Sequence, residues 1–242
     1  MSLQASEGEF RNRAWIIGGI IWAGFWVYAI DHVNTAQALS RLALGGHPDE
    51  KTAAFGHWIT GFFALGTLIV ALGALIRSWA GSYLRSSIVF DRALHGEQLV
   101  ADGPFRYVRN PLYLGNLFLA VGLGFLASRF GFFVISVGMF FFGYRLILRE
   151  ETTLLQSHGE SYRRYLSAVP RLLPALAPRV PPTGTKPNWL DGFTSEFFMW
   201  GLTGGMAAFT FTRSARWLWI IMGASWAVYF LRLPLRRRKS PG

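Results

Sequence analysis

The stretch HGEQLVADGPFRYVRNPLYLGN, residues 95–116, decides how this chain is organised. It holds two arginines, two tyrosines, a Gly-Pro and an Asn-Pro, yet strongly apolar runs stand on either side of it. Hydrocarbon offers no partners to loose backbone or charge, so a polar, turn-rich segment at a membrane boundary is tolerated where it lines a site. The first candidate for chemistry is this segment, read together with the acidic pair Glu150–Glu151 beyond the next two apolar runs.

Six apolar runs flank and follow it: Ala14–Ile30, Phe55–Ile76, Leu112–Ala127, Phe130–Leu148, Phe197–Phe211 and Ala215–Leu233. The second, fourth and sixth approach the roughly 20 helical residues that a bilayer core requires. The third and fifth are shorter, and extend into flanking residues or sit in locally thinned bilayer. Only Ser128 and Arg129 separate the third run from the fourth, which predicts a tight antiparallel hairpin. Lys and Arg divide 19 to 5 between alternate loops. That asymmetry predicts cytoplasmic termini and a cytoplasmic 95–116 segment. The first run reads as an uncleaved anchor rather than a signal peptide, although Ala36-Gln37-Ala38 resembles a cleavage site.

After the fourth run, Glu151, Leu154, Leu155, His158, Tyr162, Tyr165 and Leu166 follow helical spacing and predict an amphipathic helix that continues from the fourth span into the cytoplasm or along the interface. The proline-rich Val169–Pro187 reads as a linker or an extended lid. The expected fold is all-α: a polytopic transmembrane helical bundle of about six spans in one membrane domain, with residues 188–242 as an appended hairpin.

Composition agrees with this class. Apolar residues make up 52% and charged residues 15%, which belongs to membrane proteins. The absence of cysteine excludes disulfides, thiolate nucleophiles and Cys-ligated metal or cluster sites. The net charge of +11 fits loops facing anionic headgroups, and no basic groove with interleaved aromatics points to nucleic acid. His57 reads as an interfacial residue, and no His, Asp or Glu pair has convincing metal-ligand spacing. Gly61, Gly66, Gly73, Gly115, Gly122, Gly131 and Gly138 read as helix-packing positions.

Leu99-Val100, Gly103, Phe105, Arg109-Asn110-Pro111-Leu112-Tyr113-Leu114-Gly115, Glu150-Glu151, Tyr162 and Tyr165 form an ordered composite. Over about residues 75–175 it resembles the isoprenylcysteine carboxyl methyltransferase and phospholipid methyltransferase superfamily of integral membrane enzymes. One position departs: the family usually has His where this chain has Asn110, and an amide exchanges hydrogen bonds but carries no charge.

The resemblance implies methyl transfer from S-adenosylmethionine to a lipophilic acceptor that enters from the lipid bilayer. It implies a cofactor-facing set of His95, Gln98, Leu99, Val100, Gly103, Pro104, Arg106, Tyr107, Arg109, Asn110, Pro111, Tyr113, Glu150 and Glu151, with Arg109, Tyr113 and Glu150 closest to catalysis. Arg106 and Arg109 suit a carboxylate, because a guanidinium binds it bidentately. Glu150 or Glu151 suits ribose hydroxyls, an ammonium or the sulfonium. Tyr107 and Tyr113 offer aromatic faces to a cation. Leu99-Val100 offers backbone bonds and an apolar wall to adenine, while Gly103-Pro104 and Asn110-Pro111 fix chain direction.

Each residue also has a plainer reading. Taken alone, the arginines are interfacial anchors, the tyrosines belt residues, Asn110-Pro111 a helix start, and Glu150 with Arg145 and Arg149 a solvated ion-pair cluster. Two rival functions stay open: an NADPH-dependent reductase related to sterol reductases, and a non-enzymatic membrane protein that kept the fold.

Overall fold

A computed structural model describes residues 3–46, 49–94 and 101–237. These residues form nine α-helices: α1 (Glu7–Arg11), α2 (Arg13–Trp26), α3 (Thr35–Ala43), α4 (Ala53–Leu94), α5 (Pro111–Gly124), α6 (Arg129–Ala168), α7 (Trp189–Ser195), α8 (Phe197–Thr212) and α9 (Ala215–Arg237). Among the described residues the only β-pairing is an isolated bridge between Asn34 and Ser128. Each of the six apolar runs falls on a helix. Two helices, Ala53–Leu84 within α4 and α6, are long and apolar enough to cross a membrane, whereas Arg13–Ala29 and α5 are shorter apolar helices.

The surface of the long helices supports the membrane class more strongly than hydropathy does. Leu65, Leu68, Leu72 and Leu75 of α4 are between 43% and 66% exposed, and Phe130, Phe133, Val134, Val137, Phe140 and Phe141 stand outward on α6. A core helix of a soluble protein buries such a stripe; here it faces out, as lipid contact requires.

Local sequence sets several helix boundaries. Pro111 opens α5, where its missing N–H has no helical partner to lose. Ser128 caps α6 by accepting from the Gly131 amide at 3.2 Å. Asp31 is buried beside that turn, where it pairs with Arg129 at 2.9 Å and accepts from the Phe130 amide at 3.1 Å. One boundary differs from the sequence reading. α4 does not stop near Ile76 but continues to Leu94, because Ser78, Ala80 and Ser82 are buried and Gly192 of α7 packs against Ser78 and Ser82. α6 continues past Glu150 to Ala168 across a kink at Gly159, whose φ of 53° leaves the helical region.

Glycine lets the helices meet at backbone distance. A Cβ on Gly73 would sit 2.7 Å from the Gly115 carbonyl oxygen, and one on Gly122 would sit 2.7 Å from that of Gly66. Gly131 of α6 abuts the backbone of Gly24 on α2 in the same way. Gly61 is the exception, since nothing lies within 4 Å of its missing side chain; packing does not account for it. A paired substitution tests this. Gly122→Ala should lower the thermal midpoint in detergent, overpacking costing about 1–3 kcal/mol, while Gly61→Ala should leave it unchanged or raise it. Equal midpoints would remove the packing argument.

Candidate functional site

The polar segment after α4 is held by a strap, the extended stretch between α6 and α7. The strap joins it largely through backbone. The Arg109 amide donates to the Pro170 carbonyl at 2.9 Å, the Ala175 amide to Tyr107 at 2.9 Å, and the Arg179 amide to Arg106 at 2.8 Å. Arg106 returns its Nε to the Val180 carbonyl at 2.9 Å, and the Tyr165 hydroxyl donates to the Phe105 carbonyl at 2.8 Å. Asp102 pins the far end: its carboxylate accepts from the amides of Thr183 and Thr185 at 2.8 and 2.7 Å and from the Thr183 hydroxyl at 2.5 Å. The stretch read as a linker or lid is therefore bound along its length to residues 102–109. Gly103 begins the turn at φ 58°, and the Tyr83 ring occupies the space a side chain there would need.

Beneath the strap, three residues meet at one carboxylate of α6. Glu151 of α6 is 5% exposed. Its Oε1 lies 3.2 Å from Arg109 Nε and accepts from Asn110 Nδ2 at 3.1 Å. Its Oε2 accepts from Arg171 Nε at 3.0 Å, with Arg171 Nη2 at 2.9 Å. Arg171 also donates to the Tyr144 hydroxyl at 2.6 Å, and Asn110 to the Arg171 carbonyl at 3.1 Å. Arg109 Nη1 donates to the Leu166 carbonyl. Its contact with Glu151 is an ion pair without hydrogen-bond alignment, so Nε is a buried donor with no hydrogen-bond partner.

One residue along, Glu150 accepts from the Tyr113 hydroxyl of α5 at 2.8 Å. Glu150 does not join the neighbouring arginines in a solvated cluster. Arg145 pairs with Glu9 at 2.8 Å, and Arg149 donates to the Ala5 carbonyl at 3.2 Å. Tyr107 packs beside Trp79 with ring centroids 6.0 Å apart. Pro104 and Pro111 are fully buried. An open concavity of about 440 Å³ lies outside this web, lined by Arg109, Arg179 and residues 166–170 among others. His95, Gln98, Leu99 and Val100 lie outside the described residues.

Residues 62–161 match the phospholipid methyltransferase family. The protein-S-isoprenylcysteine O-methyltransferase of Schizosaccharomyces pombe is 32% identical over 108 residues, 40% of this chain and 46% of that protein. These residues belong to the isoprenylcysteine carboxyl methyltransferase and phospholipid methyltransferase superfamily. The cobalt-zinc-cadmium resistance protein CzcN of Cupriavidus metallidurans is similar over 123 residues at 27% identity, covering 50% of this chain and 54% of that protein. The nickel-cobalt-cadmium resistance protein NccN of Alcaligenes xylosoxydans is similar over 121 residues at 26%, with the same coverage. The chain spans about half the length of these curated relatives. No solved structure matches it.

The superfamily segment contains Arg109, Asn110, Tyr113, Glu150 and Glu151, and the structure brings these into two adjacent groups. It stops at residue 161, short of the strap, so Arg171 comes from outside it. Sequence reasoning missed Arg171 and Asp102. Arg171 carried one weak signal, as the first arginine after the Tyr-rich part of α6, but proline around it pointed to a linker.

Asp102 supplies a pH test of the strap. Burial works against its charge, but the hydrogen bonds from Thr183 and Thr185 outweigh burial and hold the carboxyl below its usual range. A depressed folded-state value adds stability that is present above the unfolded carboxylate's value and is lost as pH falls through the folded one. Amide exchange protection at Thr183 and Thr185, corrected for intrinsic rates, should therefore hold at neutral pH and fade below about pH 4. Asp102→Asn should weaken protection and remove that acid dependence. Unchanged protection in the variant would show that Asp102 does not hold the strap.

Proposed function

We propose that the chain is a multi-pass membrane methyltransferase, with its termini and site on the cytoplasmic side, that moves a methyl group from S-adenosylmethionine to a lipophilic acceptor. The observation that carries this reading is the meeting of Arg109, Asn110 and Glu151, beside the Tyr113–Glu150 pair, inside the segment that belongs to a methyltransferase superfamily. The lining of the open concavity supports it. Arg109 and Arg179 both line the open hollow of about 440 Å³. They fit the carboxylate of the cofactor's amino-acid end, which guanidinium groups bind bidentately.

When bound, the cofactor supplies an electrophilic methyl group on a sulfonium, for in-line transfer. The residues of this chain then have distinct parts. Glu151 holds Arg109 and Arg171 in fixed positions, so their charges are oriented before a ligand arrives, and alignment of this kind is a major source of rate. Asn110, where the family usually has His, uses its amide on Glu151 and the strap and so joins α5 to both. Glu150 is the proton acceptor for an amine acceptor, with Tyr113 orienting it; a carboxylate acceptor needs no base. The likeness to a protein-S-isoprenylcysteine O-methyltransferase supports a lipid-linked acceptor.

Calorimetric titration of the purified protein in detergent tests the reading. Saturable binding of S-adenosylhomocysteine, with none of NADPH, is expected. Arg109→Ala should weaken it at least tenfold, about 1.4 kcal/mol, in a variant that keeps its thermal midpoint within a few degrees. NADPH binding in place of S-adenosylhomocysteine would turn the assignment to the reductase, and binding of neither would favour the non-enzymatic protein.

A further inference from the structure

The C-terminal hairpin of α8 and α9 meets the core at a charged contact that the reading above does not use. Arg77, on α4, donates from Nε and Nη2 to Glu196 Oε2 and Oε1 at 2.6 and 3.0 Å. Its Nη1 donates to Asn116 Oδ1 at 2.7 Å and to the Leu112 carbonyl at 3.3 Å. The Arg77 and Glu196 side chains are 16% and 8% exposed. A cavity of about 240 Å³ opens beside the pair, walled otherwise by Ser195, Phe198, Met199 and Trp226.

The hydrogen-bond inventory of this cavity is lopsided. A guanidinium has five N–H groups, and four of those on Arg77 have partners. A carboxylate accepts at about four lone-pair sites, and Arg77 fills two of those on Glu196. Ser195 spends its hydroxyl hydrogen on the Gly192 carbonyl at 2.8 Å and so also offers acceptance. The polar end is thus neutral as a pair, short of donors and rich in acceptors, while the remaining walls are apolar.

We propose that this cavity binds the head and first carbons of a long-chain alcohol or amine, with the head donating to Glu196 and the chain lying against Phe198, Met199 and Trp226. An anionic head fits poorly, because it needs donors that Arg77 has already committed and it faces the Glu196 carboxylate. Asn116 links this site to the first one, since it is held by Arg77 and lines a small interior space together with Tyr113. If the ligand is the methyl acceptor, that role rests on the methyl-transfer reading; its binding does not.

The test is quenching of tryptophan fluorescence in the full chain in detergent. The probes are 11-bromoundecanol, 11-bromoundecylamine and 11-bromoundecanoate at neutral pH, and the Trp226→Phe variant isolates the Trp226 contribution. Saturable quenching of Trp226 by the alcohol and the amine is expected, with midpoints at least tenfold below that of the carboxylate. Glu196→Gln releases Arg77 from its carboxylate and should reverse the order in favour of the carboxylate by a similar factor. Equal or non-saturable quenching by all three probes, as from partition into micelles, overturns the proposal, and so does tightest binding of the carboxylate to the unaltered protein. Should the variant fail to fold, the order in the unaltered protein decides alone. Loss of this binding would leave cofactor titration untouched, and failure of cofactor titration would leave this binding standing, so the two readings fail separately.

Discussion

A carboxylate that is 5% exposed keeps its charge only if surrounding donors replace the water it has lost, and Glu151 is in that position. Its two oxygens gather Arg109 and Asn110 from the start of α5 and Arg171 from the start of the strap. Removing Glu151 would leave two guanidinium groups close together without their counter-charge in a poorly solvated place, which is much costlier than losing a surface ion pair. The position of α5 against α6, the entry of the strap and the orientation of Arg109 thus depend on a single group. The site is rigid at its floor, and the adjacent Glu150 differs in having one neutral partner, the Tyr113 hydroxyl, among its hydrogen bonds.

Around that floor the structure uses two other kinds of constraint. Between α4 and α5 contact is made at backbone distance through Gly66, Gly73, Gly115 and Gly122, where dispersion and close fit replace the hydrophobic drive that lipid does not supply. Over residues 102–109 the strap adds backbone hydrogen bonds in the manner of an irregular edge pairing. Together these let a polar, irregular segment lie against long apolar helices with its donors and acceptors largely engaged.

Features that depend on local pattern were legible in the sequence. The six apolar runs fall on helices because hydrophobicity and helical length travel together in one stretch of chain. Pro111 marked a helix start by its own chemistry. Features that depend on distant partners were not legible. α4 outlasts its apolar run because Ser78 and Ser82 are covered by Gly192, more than a hundred residues away. Arg171 looked like a loop cation because nothing near it in sequence announces Glu151. Asn110 and Glu151 were both named from the family pattern, but that they would bond each other follows only from the packing of α5 on α6.

The Arg77–Glu196 contact has a consequence for how the protein is made. α4 is made before α8, so Arg77 is synthesised more than a hundred residues ahead of its carboxylate partner Glu196. Until Glu196 emerges, the guanidinium has within the core only the Asn116 side chain and the Leu112 carbonyl of α5 as recorded partners. A buried arginine in that condition is expensive in a bilayer and favours states that keep it near the headgroups. Arrival of α8 then completes a bidentate pair on α4. The final seating of Arg77 therefore follows the synthesis of Glu196, more than a hundred residues later.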